Sequence, residues 1–225
     1  MKKFWSTFAY AVLAGVCIGL GGAIFLKLKD AFPGGNVVGA MLFTVGLFTI
    51  CTRGYNLFTG KACYLFDNKP AYLGTLGIIW LGNLAGTCLL ALILRATAAC
   101  GGDSGINVTA AAMVESKIHG GYLSLFFLGL VCNIFIYIAV NGYAKNPHEA
   151  GKYLSLFLGV MGFIVAGTDH SVADMFYWAV SGVLFTRPGV SLLCLITISL
   201  GNVAGGVCFP LVEKLYGRLT DQSAA

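Results

Sequence analysis

A short polar run inside apolar sequence, residues 167–175, brings together the side chains best suited to chemistry. Ionisable groups at membrane depth are costly, which makes each of them a functional candidate. Gly167 can adopt the backbone angles of a helix break, and Thr168 or Ser171 can cap a half-helix that follows. The positive end of such a half-helix attracts an anion. At that end we expect His170 to donate a hydrogen bond and, because imidazole titrates near neutrality, to exchange protons.

Two carboxylates in the same run, Asp169 and Asp174, are harder to reconcile with an anion. A bare carboxylate repels anions, so these side chains are expected to support the helix break instead. Each would cap backbone N–H groups or pair with a cation, and Arg53 is a candidate partner.

A second polar interruption, residues 53–61, lies in the first half of the chain. Thr59 offers a neutral hydroxyl that can bond a polar substrate without trapping it, and Gly60 follows in the helix break. Lys61 has a long stem that can reach the interface, where it would be an anchor.

Apolar side chains flank both interruptions, and two interpretations stay open for them. They are either packing residues or a hydrophobic constriction that excludes hydrated ions. The candidates are Phe43, Leu47 and Phe163.

Composition indicates what must position these residues. The chain of 225 residues is 58% hydrophobic and 10% charged, whereas soluble domains are about a quarter charged. This excludes a water-soluble enzyme or a nucleic-acid binder. The eight cysteines form no CxxC pair or Cys/His cluster, so the sequence predicts no metal site and no cofactor.

The apolar windows predict an all-α polytopic membrane protein. Four charge-free windows exceed the roughly 20 residues that a membrane helix needs: 4–26, 70–94, 120–144 and 188–212. Two further stretches, 36–66 and 151–186, are too long for one straight span and too short for two. We therefore predict six transmembrane helices, of which helices 2 and 5 are broken at membrane depth.

A short sequence match between the two halves of the chain predicts an internal repeat. The segment Leu81-Gly82-Asn83-Leu84-Ala85-Gly86 matches Leu200-Gly201-Asn202-Val203-Ala204-Gly205 at five of six positions, 119 residues further on. Three spans per half require opposite orientations, so this is an inverted repeat. We expect a single membrane domain over 1–225, with repeats at about 4–98 and 120–214 and a connecting segment at 99–119.

Basic residues favour one orientation slightly. Six spans place both termini on one side, which collects seven Lys and Arg residues against five on the other. The positive-inside rule then predicts cytoplasmic termini in a multi-pass protein of the inner (cytoplasmic) membrane.

Three motifs in this order and spacing resemble the formate–nitrite transporter family of small-anion channels. Leu57-Phe58-Thr59-Gly60 is similar to the family motif after the first helix break. Residues 167–175 are similar to its central-histidine motif, and Leu200-Gly201-Asn202 with Gly205-Gly206 to its last-helix motif. The resemblance covers about residues 8–215.

The resemblance implies an aquaporin-like fold, a homopentamer in the lipid bilayer, and one path through each protomer. It makes His170 and Thr59 the central polar pair, and Phe43 with Phe163 the outer constriction. Lys117 would attract anions in a vestibule. The implied inner constriction is Leu47, Leu57, Phe58 and Ile136, and the implied polar wall groups are Asn133 and Asn202.

Three positions depart from the family pattern. Asn56 stands where an acidic residue is common, Asp169 replaces a Glu, and Asp174 replaces an Asn. The first and last of these bear on how the break is braced and on which anion is preferred.

The function predicted is passage of a small monovalent anion of a weak acid, with protons exchanged at the central histidine. Formate is placed first as the commonest substrate of the resembling family; nitrite and hydrosulfide are alternatives. A water or glycerol channel is disfavoured because the two Asn-Pro-Ala motifs it needs are missing. An intramembrane enzyme using His170, Asp169 and Ser171 is remote, because adjacent residues do not readily form a relay. A purely structural membrane partner would not need two polar helix breaks.

Overall fold

The computed structural model describes residues 1–222 of the chain, and this part is helical without a β-strand. Short 3₁₀ turns lie at Leu65–Asp67 and Ala98–Cys100. The helices are α1 Lys2–Leu28, α2 Gly35–Arg53, α3 Phe58–Ala62, α4 Tyr72–Arg95, α5 Ile106–Lys145, α6 Glu149–Val165, α7 Ser171–Ser181, α8 Val183–Thr186 and α9 Pro188–Gln222.

Five helices of the described part are long and apolar enough to cross a membrane: α1, α2, α4, α5 and α9. The remaining predicted span is divided between α6, with 17 residues, and α7, with 11. The prediction of an all-α membrane protein is confirmed, while the count of six spans stays a prediction.

Helix ends fall inside both stretches that were expected to be interrupted. α2 ends at Arg53, and Gly54 follows with φ +70°. α6 ends at Val165, and Gly167 has φ +68°. A side chain is strained in this left-handed region, so glycine suits both turns. In each case an extended residue, Leu57 or His170, then leads into the next helix.

The segment after α4 is more ordered than a plain connection. Residues 99–119 were expected to link the halves, but α5 already begins at Ile106. Its helical geometry is broken at Gly121, with φ +79° and ψ +161°. The part before this break carries Lys117 beside the polar centre, and the part after it runs as the predicted fourth span.

Two sets of three helices form the largest interfaces: α1 with α2 and α4, and α5 with α6 and α9. Close approach depends on glycine in both sets. A Cβ at Gly86 would overlap the carbonyl oxygen of Val12, and one at Gly205 would overlap that of Leu130. α7 lies between the sets and contacts α4 and α5, with the residues from Ser171 to Val180 buried.

Candidate permeation site

The centre of the site is a hydrogen bond between the two interrupted segments. Thr59 Oγ1, on α3, lies 2.9 Å from His170 Nε2, and both side chains are buried. On the other side of the ring, Nδ1 accepts the backbone N–H of Ala173 at 3.1 Å. An accepting Nδ1 has no proton, so a neutral imidazole carries its proton on Nε2 and donates it to Thr59. The Thr59 hydroxyl proton is then free to bond a substrate.

The cap of α7 corrects one expectation. Thr168 or Ser171 was expected to cap this half-helix, but the cap is His170 itself, through the bond from Ala173. Thr168 Oγ1 instead donates to the Phe163 carbonyl at 2.8 Å. A short polar side chain was favoured on general capping preference, whereas the extended backbone of His170 places Nδ1 over the first turn.

Asn83, on α4, braces the first interruption from behind. Its Oδ1 accepts the backbone N–H of Phe58 at 2.8 Å, which fixes the start of α3. Its Nδ2 donates to the carbonyls of Ala11, at 2.8 Å, and Asn56, at 2.9 Å. The side chain is fully buried, and its bonds to Phe58 and Ala11 are made away from water.

Asn202, on α9, does the same for the second interruption. Its Oδ1 accepts the backbone N–H of Ser171 at 2.9 Å. Its Nδ2 donates to the carbonyls of Gly129, at 2.7 Å, and Asp169, at 2.9 Å. Asn202 therefore positions the residues around His170 through their backbone and does not line either cavity described below. Asn83 was not singled out from the sequence, although the repeated Leu-Gly-Asn motif was the signal for it.

Asn133, the other expected wall group, supports Thr59. Its Nδ2 donates to the Thr59 carbonyl at 3.1 Å and lies 3.8 Å from Cys63 Sγ. Asn133 is fully buried and likewise lines neither cavity.

Two phenylalanines cover the central pair on one side. The rings of Phe43 and Phe163 meet edge to face, with centroids 5.9 Å apart. The Phe163 ring also stacks on the His170 imidazole, with centroids 5.4 Å apart. Both phenylalanines are almost completely buried, so one face of the His170 imidazole is covered by apolar surface.

The four residues expected at the inner constriction are buried as well: Leu47, Leu57, Phe58 and Ile136. Leu57 and Phe58 directly precede Thr59 in the chain. Apolar side chains thus lie next to Thr59 as well as next to His170.

Two cavities approach the central pair. The larger, of about 570 Å³, has Phe163, His170 and Lys117 in its wall. The smaller, of about 170 Å³, has Leu47, Leu57 and Lys61 in its wall. Leu57 and Gly60, on either side of Thr59 in the chain, line the smaller cavity, and Thr59 bonds His170 in the wall of the larger one. The pair therefore lies between the two cavities.

Lys117 lines the larger cavity, but it is not a free cation. Its Nζ lies 2.7 Å from Asp174 Oδ1 and also pairs with Asp169. The suggested pairing of the aspartates with Arg53 is wrong, because the exposed Arg53 has no ion pair in the described part of the chain. The pairing with Lys117 was not predicted, because no clear sequence pattern marks the helix break at Gly121 that positions Lys117.

The eight cysteines are free thiols. Among residues 1–222, no three His, Cys, Asp or Glu side chains are grouped so that they could hold a metal ion. The catalytic set that was considered remote is not assembled in residues 1–222: His170 bonds Thr59, Asp169 pairs with Lys117, and Ser171 Oγ has no hydrogen-bond partner there.

A membrane protein with a buried polar pair between two cavities, closed off by apolar rings, belongs to the class of channels and transporters for small solutes. The family model described as Formate/nitrite transporter matches residues 1–216. The chain belongs to this family, and the prediction from its three motifs is confirmed.

Relatives agree with this assignment. The chain is 24% identical to the formate channel FocA of Haemophilus influenzae over 95% of the chain and 87% of that protein. It is 29% identical to the nitrite transporter NirC of Escherichia coli over 92% of the chain and 80% of that protein. Both are transport proteins, and this chain is a transport protein rather than an enzyme.

Solved structures show the same fold. A pentameric formate channel with formate bound superimposes with a TM-score of 0.81 at 25% identity, covering 97% of this chain and 98% of that chain. An ion channel of the same family superimposes with a TM-score of 0.83 at 24% identity, covering 95% and 90%.

Proposed function

We propose that the protein conducts a small monovalent anion of a weak acid, formate first, between the two cavities and past Thr59 and His170. The observation that carries this proposal is the buried Thr59–His170 hydrogen bond, which joins the two interrupted segments. Nitrite and hydrosulfide are the alternatives, since relatives named for formate and for nitrite are both similar to this chain.

The chemistry follows from the cost of a bare charge in apolar surroundings. An anion in the larger cavity meets Phe163, which lies in the cavity wall with His170 and contacts Phe43 edge to face, and it must give up most of its water to pass toward Thr59. Beyond them, the free hydroxyl proton of Thr59 replaces part of that hydration, and Nε2–H of His170 polarises the hydroxyl. A proton taken up from solution makes His170 cationic; its Nε2 proton then passes to Thr59 Oγ1 as the Thr59 hydroxyl proton passes to the substrate. This leaves a neutral imidazole and the neutral acid, which passes the apolar side chains beyond.

Backbone N–H groups offer the substrate fewer hydrogen bonds than the two helix breaks would suggest. The N–H groups of Phe58, Ser171 and Ala173 are already bonded to Asn83, Asn202 and His170. The positive end of α7 still favours negative charge near His170, but the hydrogen bonds to the substrate come from side chains.

Proton exchange at His170 requires that the cap of α7 break and form again. Adding a proton to Nδ1 would break the bond from Ala173, because an N–H cannot accept. We propose that the cationic imidazole forms only while substrate is present and that the cap is restored as the proton leaves.

The assembly and location are part of the same proposal. We infer a homopentamer with one path in each protomer, since a pentameric formate channel has the same fold. We place the protein in the inner (cytoplasmic) membrane with both termini in the cytoplasm, so that the larger cavity opens to the outside.

Flux into proteoliposomes of the purified protein tests the function. Formate, nitrite and hydrosulfide are compared at about pH 5.5 and about pH 7.5, together with chloride, which stays ionised at both values. Empty liposomes are the control. We expect one weak-acid anion to be preferred, with faster flux at the lower pH and little chloride flux. Equal flux of chloride and formate would contradict the proton step, and no flux of any anion above the control would contradict the function.

A further inference from the structure

The wall of the larger cavity contains an ion cluster with unequal charge. Lys117 Nζ pairs with Asp169 and lies 2.7 Å from Asp174 Oδ1. The carboxylate side chains are 2% and 1% exposed, and the lysine side chain is 16% exposed. Two carboxylates face one ammonium group, so the fully ionised cluster carries one negative charge in excess.

No other group of the described residues around the cluster offsets this charge. The remaining charged residue in the cavity wall is Lys29, directly after α1, which pairs with Asp30. His170 is neutral while its Nδ1 accepts a hydrogen bond. The other titratable side chains near Asp174 are neutral when protonated: Tyr177 of α7, Cys132 of α5 and Cys194 of α9.

The carboxylate oxygens are also short of donors. Among the described residues, Oδ2 of Asp174 and Oδ2 of Asp169 have no hydrogen-bond partner, and Oδ1 of Asp174 has only the contact with Lys117 Nζ. Asp174 is fully buried, yet it belongs to the cavity wall. Buried charges of like sign that share one counterion are costly unless a proton or a further donor is added. The free oxygens provide room for that proton.

We propose that Asp174 is a selectivity residue for the substrate. It leaves the cluster with one excess negative charge, so that an anion enters past Lys117 only when a proton is bound between Asp169 and Asp174. With the proton, the cluster is neutral and Lys117 can turn an N–H toward the anion. Without it, the cavity wall repels the anion. This rests on the proposed function, because the substrate is taken to be an anion.

The test replaces Asp174 by asparagine, which has nearly the same shape and no charge. Formate flux into proteoliposomes is followed from about pH 5 to about pH 8 for the wild type, Asp174→Asn and Asp103→Asn. The Asp103→Asn variant removes an exposed carboxylate just before α5, the helix that carries Lys117. At a dielectric constant of about 40, between those of protein and water, one unit charge at about 6 Å changes the occupancy of the cavity by the anion roughly tenfold.

We expect Asp174→Asn to raise formate flux at pH 8 by roughly tenfold and to change it by less than about threefold at pH 5. Asp103→Asn should follow the wild type throughout. Asp169→Asn removes the same unit of charge from the other partner of Lys117, and its pH profile should flatten in the same way. The Asp169→Asn variant therefore still tests the proposal if Asp174→Asn does not fold.

A second readout does not depend on transport. The infrared carbonyl band of a protonated carboxyl group should be present in the wild-type protein near pH 6 and missing in Asp174→Asn. Parallel pH profiles of wild type and Asp174→Asn would overturn the proposal, as would a wild type without this band. If no anion crosses at any pH while the band depends on Asp174, the proposed function fails and the proton-binding cluster stands.

Discussion

The indole Nε1 of Trp80, on α4, donates to Ser199 Oγ, on α9, over 2.9 Å, and the two residues are 119 positions apart. The same offset relates Leu81–Gly86 to Leu200–Gly205. Equivalent residues of a two-fold repeat can meet only at its axis. We propose that the axis passes between Trp80 and Ser199, and that it relates repeats at about 4–98 and 120–214.

The asparagines that follow this pair support the same arrangement. Asn83 and Asn202 are also 119 residues apart, and each accepts one N–H at the start of a half-helix and donates to two carbonyls. If the halves are inverted, their half-helices approach the centre from opposite sides, an arrangement that agrees with the contact between Thr59 and His170.

Replacing Asn202 by leucine should destabilise the protein. The N–H of Ser171 and the carbonyls of Gly129 and Asp169 would lose their partner in a buried place, at about 1–3 kcal/mol for each group. Thermal unfolding in detergent should show a clearly lower Tm, and Asn83→Leu should behave alike. Asn36→Leu, at an exposed position of α2, is the control. Equal Tm values for Asn202→Leu and Asn36→Leu would contradict the bracing role.

Replacing Gly205 by alanine should separate α5 from α9. The new methyl group would overlap the Leu130 carbonyl, and such overpacking typically costs about 1–3 kcal/mol. Gly217 lies on the same helix with open space around it, so Gly217→Ala should be neutral or stabilise by up to about 1 kcal/mol. A Tm for Gly205→Ala as high as that for Gly217→Ala would contradict this packing.

Replacing His170 by asparagine should change the pH dependence of flux more than the abundance of the protein. The exchangeable proton at Nε2 is lost, so formate flux should respond less to pH. Flux is measured between about pH 5 and pH 8 and normalised to reconstituted protein. His119, an exposed histidine on α5, provides the control His119→Asn with a wild-type profile. The proton role is wrong if His170→Asn retains the wild-type profile.

Much of the fold follows from local sequence. Charge-free windows identify α1, α4, α9 and the second part of α5, and the glycines at 54 and 167 lie where α2 and α6 end. Thr59 and His170 stood out as polar residues in apolar surroundings, although 111 residues separate them. Family motifs, rather than spacing, indicated that they meet.

The contacts that could not be predicted are those between distant segments. Asp174 pairs with Lys117 across 57 positions, and this depends on the break of α5 at Gly121. Arg53 was suggested as a partner only because it carries the opposite charge inside the other polar interruption. The cap of α7 was missed because it depends on the ring orientation of His170, which is set by Thr59 and Phe163.

The most direct test of the account is formate flux through Thr59→Val, which keeps the side-chain volume and removes the hydroxyl. Thr44 provides a matched control, since it is equally buried and its Oγ1 has no hydrogen-bond partner in the described part of the chain. We predict that Thr44→Val conducts as the wild type, that Thr59→Val loses about tenfold or more of the flux, and that Thr59→Ser restores most of it. Thr59→Val conducting as well as Thr44→Val would contradict a path past the Thr59–His170 pair.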